Sequence, residues 1–407
     1  MLRKILMGFG ALVGLIILGG VGFYAYVTYQ ANKTYDIPLP DIRRDTSPEA
    51  LARGEVIFMS LCVECHAPAG EIHAVGAPVT VLPPELGYLH SANLTSDPVG
   101  GMGNVKDEEI ARMIIHGVNH EGKLRPMVRF WTMADEDIAA VIGFMRQDRP
   151  EFAPEPKKAP PSETTFLGNI VQVFVLGVHT EKRPPVKAPA KAPTVEYGKY
   201  LSEAMFDCVA CHTQGLEVNE VKAAKDTAFT GGFEFDQKQS GTEGVIYSTN
   251  LTPHETQGLG KWTLEQFKVA MREGIAPDNQ VLRTPMPRFR RLDDVQLEAM
   301  FKFLKSLPAR ESPKFAREPL PRAKVDPSAA PEKLFSSLGC NYCHGPKGQY
   351  RDKLKNAISK QPEEVAKWIR NPESFKPGTQ MPTFAPLLDE GQALELARWV
   401  QSKNGEP

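Results

Sequence analysis

The stretch "CVECHAPAG", residues 62–70, places two cysteines three positions apart with a histidine directly after the second. The pattern returns as "CVACHTQG" from residue 208 and as "CNYCHGPKG" from residue 340, and these stretches hold all six cysteines of the 407-residue chain. Three chemistries use such spacing. A zinc site takes four ligands, commonly two cysteine pairs or one pair with two spaced histidines. Each unit here offers a single pair; sharing one site between the first two would strand the third and leave every adjacent histidine unexplained. A thioredoxin-like dithiol belongs in a βαβ context, and no such pattern surrounds these motifs. Covalent haem attachment accounts for every feature: two thiols add to the two vinyl groups, and the neighbouring histidine is placed to ligate the iron. The motifs therefore predict three covalently bound haem c groups, held by Cys62 and Cys65, Cys208 and Cys211, and Cys340 and Cys343, with His66, His212 and His344 as proximal ligands.

The first two motifs head copies of one unit. "SANLTSDPVGGMG" from residue 91 matches "STNLTPHETQGLG" from residue 248. Further on, "EEIARMIIHG" falls on "EQFKVAMREG", and "RPMVRF" on "TPMPRF" after a two-residue insertion. The third unit carries "GTQMPTF" but lacks the Asn-Leu-Thr loop. The repeat filters the candidates for the second axial position, which in haem proteins is methionine, histidine or open. His90 aligns with Tyr247 and His116 with Glu273, so histidine is not kept. Met133 aligns with Leu292, and Met102 and Met113 with Leu259 and Ala270. Met127 aligns with Met286, each directly after a proline and three residues before a phenylalanine, and Met381 occupies the similar loop of the third unit. Met127, Met286 and Met381 are thus the predicted axial sulfur ligands. Asn93, Thr95, Asn250 and Thr252 recur at fixed repeat positions; short polar side chains there fix local turns or donate to a haem propionate. Both triplets also formally match a glycosylation acceptor.

Length and punctuation set the organisation. At 407 residues the chain is too long for one ordinary core. Its helical periodicities around long loops, with few alternating strand patterns, predict an all-α fold. Residues 1–46 read as a transmembrane anchor and polar tether: Ile5 to Val27 carries no charge and is long enough to cross a bilayer. Arg3 and Lys4 keep the N-terminus cytoplasmic and place the rest outside. A cleaved secretory signal is the competing reading, with a shorter apolar core and a small-residue cleavage site. Residues 47–150, 195–310 and 331–407 form the three haem units, joined by proline-rich linkers at 151–194 and 311–330. An apolar patch inside the first linker, residues 166–178, is too short to span a bilayer; it packs between domains or lies on the membrane surface. With a net charge of -1 nothing favours nucleic-acid binding.

In "DCVACHT", "YSTNLTPHETQGLGKWTLEQF", "TPMPRF" and their counterparts in the first unit, the chain resembles the multi-haem cytochrome c subunits of membrane-bound quinoprotein alcohol dehydrogenases and flavin-dependent gluconate or sorbitol dehydrogenases. The third unit resembles a class I cytochrome c domain. The resemblance implies three tandem class I cytochrome c domains. It also implies a periplasmic relay on a bacterial inner membrane, an electron-transfer subunit rather than an enzyme. Its redox partners would be a dehydrogenase or quinol-oxidising complex on one side and a terminal oxidase or soluble cytochrome on the other. Methionine ligation itself raises haem potentials and closes the iron to substrate, which also favours electron transfer. The alternatives are a di- or tri-haem enzyme such as a peroxidase, with one open iron, and a haem-bearing sensor or assembly factor.

Overall fold

The computed structural model describes residues 2–403 apart from residues 69, 237–243, 316, 319–324, 347 and 349. Part of the linker at 311–330 therefore lies outside the described residues. The chain is mostly helical. α1 (Leu2–Asn32) is exposed along most of its length and meets residues 166–175 near its C-terminal end, and among the described residues it is the one helix long and apolar enough to cross a membrane.

The internal repeat is a repeat of elements. In the first unit α2 (Pro48–Ile57) begins with Ser47 accepting from the Ala50 N–H and with proline in the first helical position. It runs through a π-helical turn, Phe58–Cys62, into α3 (Val63–His66). α4 (Asp107–His116) and α5 (Asp135–Met145) follow. After the short α6 (Phe166–Ile170), the second unit opens with α7 (Val195–Tyr200), capped by Thr194. It passes through its own π-helical turn, Leu201–Met205, to α8 (Cys208–Cys211) and α9 (Asn219–Ala223). α10 (Leu264–Glu273) and α11 (Asp294–Ser306) complete it. Two small antiparallel ribbons, β1 (Gly87–Tyr88) with β2 (Glu163–Thr164) and β3 (Glu234–Asp236) with β4 (Val245–Tyr247), are the only paired strands among the described residues.

The first and last helices of each unit cross at a glycine. A Cβ on Gly54 of α2 would lie 2.1 Å from the Ala140 carbonyl of α5, and one on Gly198 of α7 would lie 1.9 Å from the Ala299 carbonyl of α11. Neither crossing has room for a side chain. Gly198→Val forces α7 off α11; such overpacking costs about 1–3 kcal/mol, and a thermal midpoint lower by about 2–4 °C per kcal/mol is the expected reading for a domain of this size. An unchanged midpoint would show that the helices can part freely.

The first two units share one hydrophobic core, which runs from Ile57, Phe58, Ile138 and Phe144 to Leu201, Phe206, Phe289 and Phe303. Across their junction the Tyr200 hydroxyl donates to the buried Asp137 carboxylate and accepts from the Ala134 N–H at 3.0 Å. The third unit has a separate core. α12 (Pro331–Ser337), α13 (Cys340–His344), α14 (Pro362–Arg370) and α15 (Glu390–Ser402) enclose Leu334, Phe335, Val365, Phe384, Leu388 and Leu396. Ile275, from the second unit, joins that cluster.

The segments read as tether and linker are laid down on the first unit. Tyr35, Ile37 and Ile42 are buried, and Arg44 pairs with Asp107 at 2.7 Å. Beyond residue 150 the core continues: Phe152 is buried against Phe58, with ring centroids 4.8 Å apart. Arg183 donates to the carbonyls of Trp131 and Met133 at 2.9 and 2.6 Å, and the Asp135 N–H donates to Val186 at 2.9 Å. Proline composition indicates extended backbone, and extended backbone whose carbonyls and N–H groups meet a neighbour is ordered as firmly as a helix.

Candidate functional site

Each Cys-x-x-Cys-His motif forms a single helical turn, which brings both thiols to one side. All six cysteines are free thiols. The surrounding protein pushes their acidities down: Cys62, Cys208, Cys211 and Cys340 are raised to about 12 and Cys65 to about 11, in each case chiefly through desolvation. They are poor thiolates and poor metal ligands as they stand, in contrast to the depressed thiols of redox dithiols. Among the described residues no group of three or more His, Cys, Asp or Glu side chains is arranged to hold a metal ion.

The histidines share one arrangement. Nδ1 of His66 lies 2.9 Å from the Ala92 carbonyl, Nδ1 of His212 2.7 Å from that of Thr249, and Nδ1 of His344 3.0 Å from that of Tyr350. A carbonyl only accepts, so Nδ1 carries the proton and Nε2 is left with its lone pair. Burial holds all three imidazoles below the usual histidine range, which keeps them neutral. A neutral imidazole whose second nitrogen is fixed by an outer hydrogen bond is how proteins prepare a histidine for a metal. Ala92 and Thr249 occupy the same repeat position, directly before Asn93 and Asn250. The backbone then closes over each histidine in the same way, with Gly76 N–H donating to the His66 carbonyl and Gly231 N–H to that of His212, both at 2.8 Å.

Asn93, Thr95, Asn250 and Thr252 are buried and engaged within the protein. Oδ1 of Asn93 accepts from the Thr95 N–H at 2.9 Å, and Oδ1 of Asn250 from the Thr252 N–H at 2.8 Å. Their amides tie the loop to the chain leaving the unit: Asn93 donates to Glu155 and Lys157 at 2.9 and 3.1 Å, and Asn250 to Arg310 at 2.8 Å. The loop that presents the histidine's carbonyl partner is thereby locked.

In the third unit the residues predicted from the sequence, Cys340, Cys343, His344 and Met381, line one cavity of about 430 Å³. Met127 and Met286 are half-buried at the edge of the shared core, whereas Met133 is buried within it and accepts through its carbonyl from Arg183. Sequence reasoning passed over two arginines. Arg129 and Arg288 lie two residues beyond Met127 and Met286 in the matched "PMVRF" and "PMPRF". Both are buried, and burial pushes both guanidinium groups down to about 10, still cationic at neutral pH. Each packs against the left-handed glycine that ends the preceding helix, Gly117 at φ +70° and Gly274 at φ +76°, where a Cβ would strike the guanidinium. Arg288 donates to Met286 at 2.9 Å and to Leu282 at 2.5 Å, and Arg129 to His116 at 3.2 Å. One nitrogen of each, Nη1 of Arg129 and Nε of Arg288, has no hydrogen-bond partner among the described residues. A buried cation with a spare N–H at the same place in both copies suits an anionic group such as a haem propionate. The repeat alignment already contained this signal; burial supplied the rest.

The third cavity is also lined by the other units, through Gly70 of the first and Arg283, Thr284 and Arg288 of the second. Arg290 donates to the carbonyls of Thr379 and Met381 at 2.6 and 2.8 Å and pairs with Glu373 at 3.3 Å. Arg291 reaches Glu55 of the first unit at 3.4 Å. Gln380 donates to Glu64, inside the first motif, whose carboxyl burial pushes up to about 7. Lys353 and Lys376 pair with Glu71 at 3.1 and 3.0 Å.

Free cysteine pairs, neutral oriented histidines and, in the third unit, a methionine lining the same apolar cavity are features of a c-type cytochrome domain. Residues 326–400 match the family described as cytochrome c oxidase, cbb3-type, subunit III. That segment is a cytochrome c domain, with covalently bound haem c. The chain is similar to the fructose dehydrogenase cytochrome subunit of Gluconobacter japonicus, 34% identical over 147 residues, 35% of this chain and 27% of the relative. It is similar to the cytochrome c subunit of alcohol dehydrogenase (quinone) from Gluconobacter oxydans, 32% identical over 183 residues, 38% of this chain and 35% of the relative. The gluconate 2-dehydrogenase cytochrome c subunit of Pantoea cypripedii is 24% identical over 313 residues, 73% of this chain and 65% of the relative. The chain thus spans about a third or less of the length of the first two relatives. All three are cytochrome subunits of dehydrogenases, and the resemblance seen in the sequence stands.

Proposed function

We propose that the chain is a membrane-anchored relay of three covalent haem c groups, which passes electrons from a dehydrogenase or quinol-oxidising partner toward a terminal oxidase or soluble cytochrome. The observation that carries this reading is the repeated preparation of His66, His212 and His344, each with Nδ1 committed to a backbone carbonyl and Nε2 free. Cys62 and Cys65, Cys208 and Cys211, and Cys340 and Cys343 hold the three groups as thioethers. Met127, Met286 and Met381 would each offer a thioether sulfur to the haem iron, and sulfur ligation would bias each centre toward a raised potential. Arg129 and Arg288 would offer their buried cationic N–H groups to the haem propionates. What haem supplies when bound is a reversible one-electron couple. The protein's part would be to offer two ligands to each iron, bury the macrocycle and hold the three centres on one chain. Haem domains at 47–150, 195–310 and 331–407 lie on the periplasmic side of a bacterial inner membrane, with α1 as the single span. The separately cored third unit, clamped to both others, is the junction of the relay.

Pyridine haemochrome titration against protein mass should give three haems per chain, and Cys208→Ala with Cys211→Ala should bring it to two. A wild-type ratio near two would remove one site from the reading. Deleting α1 behind a cleavable export signal should yield haem-loaded protein whose first unit remains folded, because Tyr35 and Ile37 are packed with Val118 and Leu124, and Ile42 lies in the shared core, while of their hydrogen bonds the one from the Tyr35 hydroxyl to the Gln30 carbonyl is lost. Loss of haem from the first unit on this deletion would show that α1 is part of the fold.

A further inference from the structure

α6 and the π-helical turn that continues it, Val171–Val175, make a short apolar helix beside the outer end of α1. The Phe166 ring lies 4.9 Å from that of Tyr24, and the Phe174 ring lies 6.0 Å from Phe23 and 6.1 Å from Tyr26. The other side of the segment is built into the first unit. A Cβ on Gly168 would lie 2.1 Å from the Leu86 carbonyl, and Gln172 is buried and accepts from Arg129 at 3.5 Å. Between these two attachments Phe166, Leu167 and Phe174 remain 36%, 48% and 50% exposed. Single exposed apolar residues are ordinary; a cluster of them on one short helix, continuous with a bare apolar span, is a contact surface.

We infer that residues 166–175 lie in the outer interface of the bilayer crossed by α1 and form a second, lipid-facing contact that fixes the first unit against the membrane. This rests on the reading of α1 as a membrane span. Depth is the argument. The chain carries no charge between Lys4 and Lys33. A hydrocarbon core of about 30 Å takes about 20 helical residues, so a span counted from Ile5 leaves it near Tyr24. Tyr24, Tyr26 and Tyr29 then stand at the level where aromatic residues collect in membrane proteins, and all three are exposed. Phe166 and Phe174 touch α1 at Phe23 to Tyr26 and share that depth. The segment is too short to cross, but an apolar helix lying along the headgroup boundary needs no more than this. Arg129 joins it directly to the Met127 loop, so the contact turns that side of the first unit toward the membrane surface. The occupant is lipid, because the same face is already continuous with the lipid-exposed surface of α1.

The test uses the full chain, haem-loaded and reconstituted alone into liposomes of phosphatidylcholine and phosphatidylglycerol. Its native cysteines are closed as thioethers, so added ones are the sole thiols. Leu167→Cys and Phe174→Cys should react with a water-soluble maleimide at least roughly tenfold more slowly than the exposed references Val99→Cys and Ile358→Cys, as a bilayer-seated thiol does. Ile16→Cys, in the middle of α1, calibrates full protection. In the unsubstituted protein a lipid-soluble aryl azide should mark residues 166–175 as well as α1, which needs no variant to fold. If positions 167 and 174 react at the reference rate while position 16 stays protected, and the azide marks α1 alone, the second contact is wrong and the anchor stands. If position 16 also reacts at the reference rate, the anchor reading itself falls and takes this inference with it.

Discussion

Met381→His should lower the potential of one haem by on the order of 0.1–0.3 V, as a fraction of the roughly 0.8 V over which axial ligation tunes haem, while the haem count per chain stays the same. The substituted side chain lines the cavity that holds Cys340, Cys343 and His344, so the thioether bonds and the proximal ligand are untouched. An imidazole nitrogen donates more strongly to ferric iron than a thioether does, which favours the oxidised state. For a one-electron couple each fall of about 59 mV is a tenfold shift in equilibrium, so even about 120 mV makes that centre a hundredfold poorer acceptor. Electron transfer through the chain should slow accordingly, and the near-infrared band of sulfur-ligated ferric haem should lose about a third of its intensity if three equivalent sulfur ligands contribute to it. Met286→His and Met127→His should each do the same to a different centre. Met133→Leu is the contrast: Met133 sits at 2% exposure in the shared core with no role beyond packing, so all three potentials should hold. Three unchanged potentials in Met381→His would remove that residue from the ligand set. A shift on Met133→Leu with none on Met127→His would mean that the repeat was aligned wrongly in the first unit.

The parts of the molecule legible in the sequence are those written in local spacing. α4 and α10 begin and end at matched positions because capping and glycine termination are local chemistry, and the offset between "EEIARMIIHG" and "EQFKVAMREG" carries straight into coordinates. The pairing of two thiols with an adjacent histidine was legible for the same reason, as spacing within five residues. Arg129 and Arg288 were visible as repeat partners, but a buried arginine with an unsatisfied nitrogen is a property of what folds around it, and composition treats every arginine as surface. The linkers misled in a second way. Proline says that a segment is extended and says nothing of the wall it lies on; Arg183 finds its acceptors about fifty positions away in sequence. Least legible of all is the junction, where Gln380 meets Glu64 across 316 positions: each lies inside a motif at a place the motif leaves variable, so nothing in the pattern pairs them. The apolar patch was read with two partners open, a domain or the membrane, and the structure sets it against both α1 and the first unit. Short apolar runs have no period of their own long enough to choose.

Arg290→Ala should loosen the sulfur ligand of the third haem alone, without removing any ligand. Arg290 belongs to the second unit, yet its guanidinium is nearly buried and donates to the carbonyls of Thr379 and Met381 at 2.6 and 2.8 Å. Glu373, its ion-pair partner, accepts from the Gly378 N–H at 3.0 Å, so the same pair clamps both ends of the loop that presents Met381. Within the loop the Met381 N–H donates to the Thr379 hydroxyl at 3.2 Å, which leaves little slack. Hydrogen bonds from a charged donor contribute about 1.5–3 kcal/mol each. Losing one therefore raises the open population of the loop by roughly 10- to 150-fold, and Glu373 keeps only its longer ion pair with Arg291, at 3.8 Å. Iron that intermittently lacks its sulfur ligand should bind added imidazole or carbon monoxide, and its potential should fall part of the way toward that of Met381→His. Arg290→Lys can satisfy one carbonyl but not both in the fixed fork of a guanidinium, so it should give an intermediate effect. The position is specific to the second unit: Trp131 stands there in the first, and Trp131→Phe should leave the third haem unaffected. Should Arg290→Ala keep the third potential and exclude imidazole as the unsubstituted protein does, with its melting curve unchanged, the clamp does not act on Met381, and the contact serves only to dock the two units.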